Sequence, residues 1–217
     1  MQENVILSKK IYSYIIDEIV SGRLRMGQII DENKIKDVFN VSKTPIREAI
    51  ISLENEEVVK KNGKSYFVSF IEPEEIDQIF EARRELESIA AFLAAQRMQR
   101  QELKQMENII TKLKDVNGET DPIELANLNG KFHSLIAKAS GNKYIESCVN
   151  SMRLKLRIVR VTLFTSIERR EDEYKEHFGI FEAIKNKDAD KARSLMFNHE
   201  TDVWEYTKKY IIPKLYY

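Results

Sequence analysis

The chain has 217 residues, enough for one or two packed domains, and its 42% hydrophobic and 32% charged residues are ordinary for a soluble protein. Thirty-five basic and 35 acidic residues cancel to a formal net charge of zero, which argues against a uniformly basic nucleic-acid coat but permits a local basic surface. No apolar run is long enough for a membrane span, the opening MQENVILSKK lacks the marks of a secretory leader, and a lone Cys148 excludes an intrachain disulfide framework and a cysteine-built zinc finger. A cytoplasmic protein is expected, with Cys148 a small buried apolar residue.

Abundant Lys and Ile, with only seven Gly and four Pro, suit a helical chain. Residues 8–21 place Ile11, Ile15, Ile16 and Ile19 at helical spacing and stop at Gly22. A short second helix is expected over 31–39, with Ile35, Val38 and Phe39 inward. After a three-residue break, Asn40 to Ser42, comes a third helix over 43–56. Its Pro45 lies in the first turn, where a missing N–H costs little. In VVKKNGKSYFV, two β-prone runs flank Asn62-Gly63, a strong hairpin signal. Three helices and a hairpin spell a winged helix-turn-helix, with a domain boundary near residue 72. Helices are then expected near 74–99, 101–115, 122–140, 143–162, 167–186 and 189–210. Their short links imply an antiparallel bundle over 73–217, so the fold class is mainly α.

In a helix-turn-helix the second helix enters the major groove by its N-terminal end. That end here offers Ser42, Lys43, Thr44 and Arg47. Hydroxyls and backbone N–H groups suit phosphates, and Arg47 can grip a guanine edge with two hydrogen bonds. Ile46, Ala49, Ile50 and Leu53 form the inward stripe. Lys60, Lys61 and Lys64 around Gly63 make a basic wing tip, suited to a phosphate backbone or a minor groove. The competing reading is a small helical domain with a solvated charged face.

At this point the chain resembles a known family. SKTPIREAI followed by LENEEVV is similar to the GntR family of bacterial transcriptional regulators. IFEARRELESIAAFLAA, NGKFHSLIAKASGN and YKEHFGIFEAIKNKDADKARSLMFNH resemble the effector domain of its FadR branch, the FCD domain. The resemblance implies DNA contacts at Asn33, Ser42, Lys43, Thr44, Arg47 and Gly63, with Lys64 added by the wing-tip reading. Lys43 stands where the family usually has arginine, and lysine lacks the planar two-point contact, so it suits a phosphate more than a base. Asn33 replaces an arginine of some members, Met26 a usual proline, and Glu57 a common glycine.

The chain has three histidines, and each lies on a different helix in an apolar stripe. His133 shares a face with Asn129, one turn before it. His177 runs with Tyr174, Phe181 and Ile184, and His199 with Ala192, Met196 and Val203. Each alone reads as a hydrogen-bonded core residue, but bundles also build metal sites from side chains on facing helices. The resemblance implies a divalent metal held by an Asp, a His four residues later and two further His. These positions match Asn129, His133, His177 and His199, with an amide in the acidic place. Imidazoles with one oxygen suit zinc, nickel, manganese or iron better than calcium. The resemblance also puts Arg83, in RRELE, in the effector cavity as partner to a carboxylate. The alternative is a structural Arg83–Glu87 contact.

The function expected is that of a DNA-binding repressor, a homodimer on a palindromic operator, released by a small-molecule effector bound near the metal in the bundle. A regulator that senses the metal itself is the alternative. A metal-dependent hydrolase is a remote one: no general base is evident, and Glu176, next to His177, is expected to point elsewhere on its helix. The chain is therefore not expected to be an enzyme.

Overall fold

A computed structural model describes residues 2–116 and 119–216, with side chains from residue 6 onward. The fold is mainly helical with one two-stranded sheet, and it divides into two compact units. One runs to Glu72 and takes in the residues from Ile212 onward; the other is Pro73–Ile211.

In the first unit, α1 (Gln2–Val20) packs on α3 (Lys43–Asn55). Ile11, Ile15, Ile16 and Ile19 and the α3 stripe Ile46, Ala49, Ile50 and Leu53 are all fully buried. Between them, α2 (Glu32–Phe39) is started by Asp31, whose carboxylate accepts from the backbone of Asn33 and Lys34. It is ended by Asn40, which takes a left-handed φ of 49°. Ile35 points inward, but Val38 is exposed and Phe39 is only half-buried, its ring edge on Tyr14. The eight-residue helix turns a narrower stripe to the core than its apolar content suggested.

The wing pairs β1 (Val59–Asn62) with β2 (Ser65–Val68), Val59 opposite Val68 and Asn62 opposite Ser65. The corner is thus Gly63-Lys64, one residue later than Asn62-Gly63. Gly63 holds a φ of 61° and Lys64 is not left-handed, the pattern of a hairpin turn that takes glycine first. Glu57, in the glycine position noted above, also has a positive φ, 55°. The closing helix, α11 (Ile212–Tyr216), is tied within this unit by the Tyr216 hydroxyl, which donates to the Ile71 carbonyl.

In the second unit, α4 (Pro73–Arg97) packs on α6 (Pro122–Ala139), α7 (Lys143–Lys155), α9 (Ile167–Lys185) and α10 (Ala189–Tyr206). A helix covered on so many sides must be narrow: Ala90, Ala91, Ala94 and Ala95 are all buried. α5 (Arg100–Lys114) lies on α6 and α9. The single helix expected over 143–162 is broken at Leu156 into α7 and α8 (Arg157–Leu163), and every residue of α8 is buried. Cys148, on the outer face of α7, is exposed rather than buried. After α10 the chain widens into a π-helical turn, Thr207–Ile211. Pro213 cannot donate to the carbonyl one turn back, and its ring crowds that carbonyl.

Candidate metal centre and nucleic-acid interface

Ser42, Lys43, Thr44 and Arg47 are all exposed on the first turns of α3. Pro45 and Ile46, between them, are buried, so the polar set shares one face. Ser42 precedes the helix without spending its hydroxyl on a cap. The positive end of the helix dipole is therefore presented with a hydroxyl, an ammonium and a guanidinium around it. Asn33 is exposed on α2, and Gly63 and Lys64 are exposed at the wing tip with Lys60 and Lys61. These are the positions expected for DNA, and none is drawn into the core.

In the bundle, α6 supplies Asn129 and His133, α9 supplies His177, and α10 supplies His199. All four are buried, and the three imidazoles offer ligand atoms within 4.8 Å of one another. His133 Nε2 lies 3.2 Å from His177 Nε2. Two nitrogens at about 2.1 Å from a zinc ion, at a tetrahedral angle, stand roughly 3.4 Å apart, so the spacing fits a shared cation. The outer nitrogens are also provided for. His133 Nδ1 is hydrogen-bonded to Glu87 Oε2, and His199 Nδ1 lies 2.6 Å from Glu176 Oε2. A carboxylate on Nδ1 fixes the proton there and leaves Nε2 with its lone pair, the arrangement common behind metal-bound histidines. Burial, reinforced by the other histidines, keeps His177 neutral well below the usual imidazole range, and burial does the same for His133. For His199 burial is outweighed by Glu173 and Glu176, which raise it.

Asn129 departs from expectation. Its Oδ1 accepts from Arg153 Nη2 at 3.3 Å, while its Nδ2 donates to Glu173 Oε2 at 2.8 Å and sits 3.5 Å from His177 Nε2. Turning the amide over would aim its oxygen at a carboxylate and its N–H groups at a guanidinium, so the partners fix the orientation. The amide oxygen is thus turned away from the histidines. Arg83 is likewise engaged, by Glu87 at 2.8 Å and Glu200 at 2.7 Å, which is the structural contact weighed above with a second acid added. Burial pushes the Glu200 carboxyl up to about 7 even beside Arg83.

Several residues around the centre were not anticipated. Glu176 does not point away: it joins His199 to Arg169. Arg153 and Arg160 lie against the bare Cα of Gly130, where a Cβ would stand 3.6 Å from Arg153 Nη2 and 3.7 Å from Arg160 Nη1. Among the described residues, Arg160 Nε and Nη1 are buried without a hydrogen-bond partner. Glu173 is one helical turn before His177, a spacing that could have marked it. The arginines carried no such signal, because α7 and α8 read as one amphipathic helix.

Residues 7–68 match the bacterial regulatory proteins, gntR family, and residues 78–202 match the FCD domain. The HTH-type transcriptional regulator YdhC of Bacillus subtilis is 28% identical over 196 residues, 88% of each chain. The gluconate operon transcriptional repressor of Bacillus licheniformis is 26% identical over 177 residues, 79% of this chain and 73% of that one. The structure of E. coli McbR/YncC shares the fold, with a TM-score of 0.61 at 19% identity over 94% of this chain and 99% of that one. With its winged helix and its bundle each matched, the bundle match alone spanning more than half of the chain, the protein belongs to the GntR family of bacterial regulatory proteins and carries an FCD domain.

Proposed function

We propose that this DNA-binding transcriptional regulator is a repressor whose hold on its operator is set by a small anion bound beside a divalent metal in the bundle. Its family and relatives are transcriptional regulators rather than enzymes. The observation that carries the metal reading is the convergence of three buried imidazoles, two of them backed by carboxylates. His133, His177 and His199 would hold the ion, which when bound offers a Lewis-acidic position to an anionic ligand. A second observation favours an anionic effector over the metal alone as signal. Burial and the nearby charges of Arg153, Arg83 and Arg157 hold the Arg160 guanidinium well below its ordinary range. A buried cation with unpartnered N–H groups, repelled by its neighbours, is relieved by an incoming carboxylate. Arg160 then suits the effector contact, and Arg83, whose Nη1 is also buried without a hydrogen-bond partner among the described residues, stands beside it as a second contact.

On the DNA side, Arg47 reads bases, Ser42, Lys43 and Thr44 position the helix on phosphates, and Asn33, Gly63 and Lys64 contact the flanking backbone. A homodimer is proposed because a two-fold protein reads a palindromic site, with the bundle supplying the dimer contact. The effector would act by favouring one arrangement of the bundle and so one spacing of the two reading heads. Repression accords with the relative named for the gluconate operon. The proposed site of action is the cytoplasm, where the operator is, and no helix among the described residues is long and apolar enough to cross a membrane.

The test is calorimetric titration of chelator-stripped protein with zinc and nickel, then of the loaded protein with small carboxylates. Uptake of one metal per chain, lost in each of His133→Ala, His177→Ala and His199→Ala, is expected. Carboxylate binding should require the metal. Absence of metal uptake by the wild type would return the histidines to the role of hydrogen-bonded core residues.

A further inference from the structure

The chain passes between its two units twice, and the two crossings are built differently. The first is the segment 69–72, which has no regular secondary structure and leads into α4 at Pro73. The second has no loop. α10 runs through the π-helical turn Thr207–Ile211 straight into α11, so the backbone is helical without a break from Ala189 to Tyr216. Yet α11 belongs to the compact unit of the winged helix, and the turn before it to the bundle. An irregular connector absorbs a shift of the element next to it, whereas an unbroken helix carries the shift onward.

α11 also fastens onto the first crossing. The Tyr216 hydroxyl donates to the Ile71 carbonyl, and the Tyr216 ring meets Phe70 edge-on at a centroid distance of 5.9 Å. Leu215 is buried, and the Lys214 carbonyl lies against Gly22, where a Cβ would come within 3.6 Å of it. A helix of five residues thus reaches both the connector and the turn that ends α1. So short a helix has no stability of its own, and these contacts are what hold it.

The helix that runs into the strap also carries the centre. His199 and Glu200 lie on α10, and Glu200 is paired with Arg83 of α4, the helix that the first crossing enters. From His199 to the π-helical turn is roughly 12 Å of helix. We infer that α11 is a strap that fastens the end of α10 to the connector 69–72, so that a displacement of α10 at the histidine centre reaches the DNA-reading unit through the C-terminal helix. The inference deepens the proposed control of the operator and rests on it for the signal that is carried. A ligand that draws on His199 shifts α10, and the connector, held by Tyr216, shifts with it. With the strap undone, residues 69–72 yield and the signal stops in the bundle.

The experiment compares the full-length protein with Tyr216→Phe and with the double variant Leu215→Ala, Tyr216→Ala, each shown to be folded by circular dichroism. Chymotrypsin cutting at the Phe70–Ile71 bond, identified by mass spectrometry, reports the opening of the connector. Loss of the hydroxyl should speed cutting by about 2- to 10-fold, the worth of one hydrogen bond, and the double variant by more than about tenfold. Operator binding is then followed by electrophoretic shift on a duplex selected from random DNA with the wild type. Both stripped variants should hold it as the stripped wild type does. Zinc with acetate, malonate or succinate should release the wild type, and should shift the operator affinity of the double variant at least about fivefold less. Cutting at the wild-type rate in both variants overturns the strap. Faster cutting in a double variant that is still released as the wild type is overturns its part in the signal. A wild type that zinc and these carboxylates never release overturns the control reading and the signal together, while faster cutting in the variants still supports the strap; the two failures are thereby distinguished.

Discussion

Replacing Asn129 by Asp probes the contact on which the charge balance of the centre turns. In the native chain Asn129 Nδ2 donates to Glu173 Oε2 at 2.8 Å. The variant puts a carboxylate oxygen at that distance from another. Two unit charges so close repel by roughly 6 kcal/mol at an effective dielectric constant of about 20. Part of this is offset, because the new charge strengthens the contact that Arg153 makes with Oδ1 and Arg169 still holds Glu173. A net loss of about 2–4 kcal/mol in the metal-free protein remains. Bound zinc reverses the sign, since two carboxylates then attract one cation. Urea unfolding, followed by circular dichroism, should therefore find Asn129→Asp less stable than wild type in chelator and raised more than wild type by zinc. Adding Glu173→Gln should remove the penalty in chelator. If Asn129→Asp is as stable as wild type in chelator, or gains no more from zinc, the two side chains do not face each other as described.

Other consequences are separable. Arg47 is exposed, so Arg47→Ala should leave folding unchanged while costing operator binding about 1–3 kcal/mol by electrophoretic shift at fixed salt. Lys64→Ala should instead weaken binding to all sequences and lower the slope of log affinity against log salt by about 1. Glu57 holds a φ of 55° that costs a side chain about 1–2 kcal/mol, so Glu57→Gly should raise the stability of the winged unit by up to about 1 kcal/mol after the entropy of glycine is counted. Thermal unfolding of the full-length protein and its Glu57→Gly variant, followed by circular dichroism, measures this; a lowered midpoint would contradict it.

Much of this architecture was legible because its signals are local. The isoleucines of α1, Pro45 in the first turn of α3 and the glycine of the wing each act within a few residues. The wing corner slipped by one because Asn62 and Ser65 pair across the turn, and either of two corners fits the same glycine. The break at Leu156 carried no Gly or Pro to announce it, and it is what buries Arg157 and Arg160 together. At the centre, helical spacing was enough to bring three histidines to one place. It could not orient Asn129, because the side chains that decide its orientation, Arg153 and Glu173, arrive on other helices. Glu173 itself was within reach, one turn before His177, but its contact with Asn129 joins two helices and no spacing along one of them announces it.

The most direct test joins the two units. Operator affinity is measured by electrophoretic shift at fixed salt for wild type and His177→Ala, each stripped, zinc-loaded, and zinc-loaded with a panel of small mono- and dicarboxylates. Wild type should release the operator when zinc and a carboxylate are both present. His177→Ala should bind the operator as the stripped wild type does and ignore the carboxylate. Release by zinc alone would make the metal the signal. An unchanged response in His177→Ala would contradict control of the operator through the histidine centre.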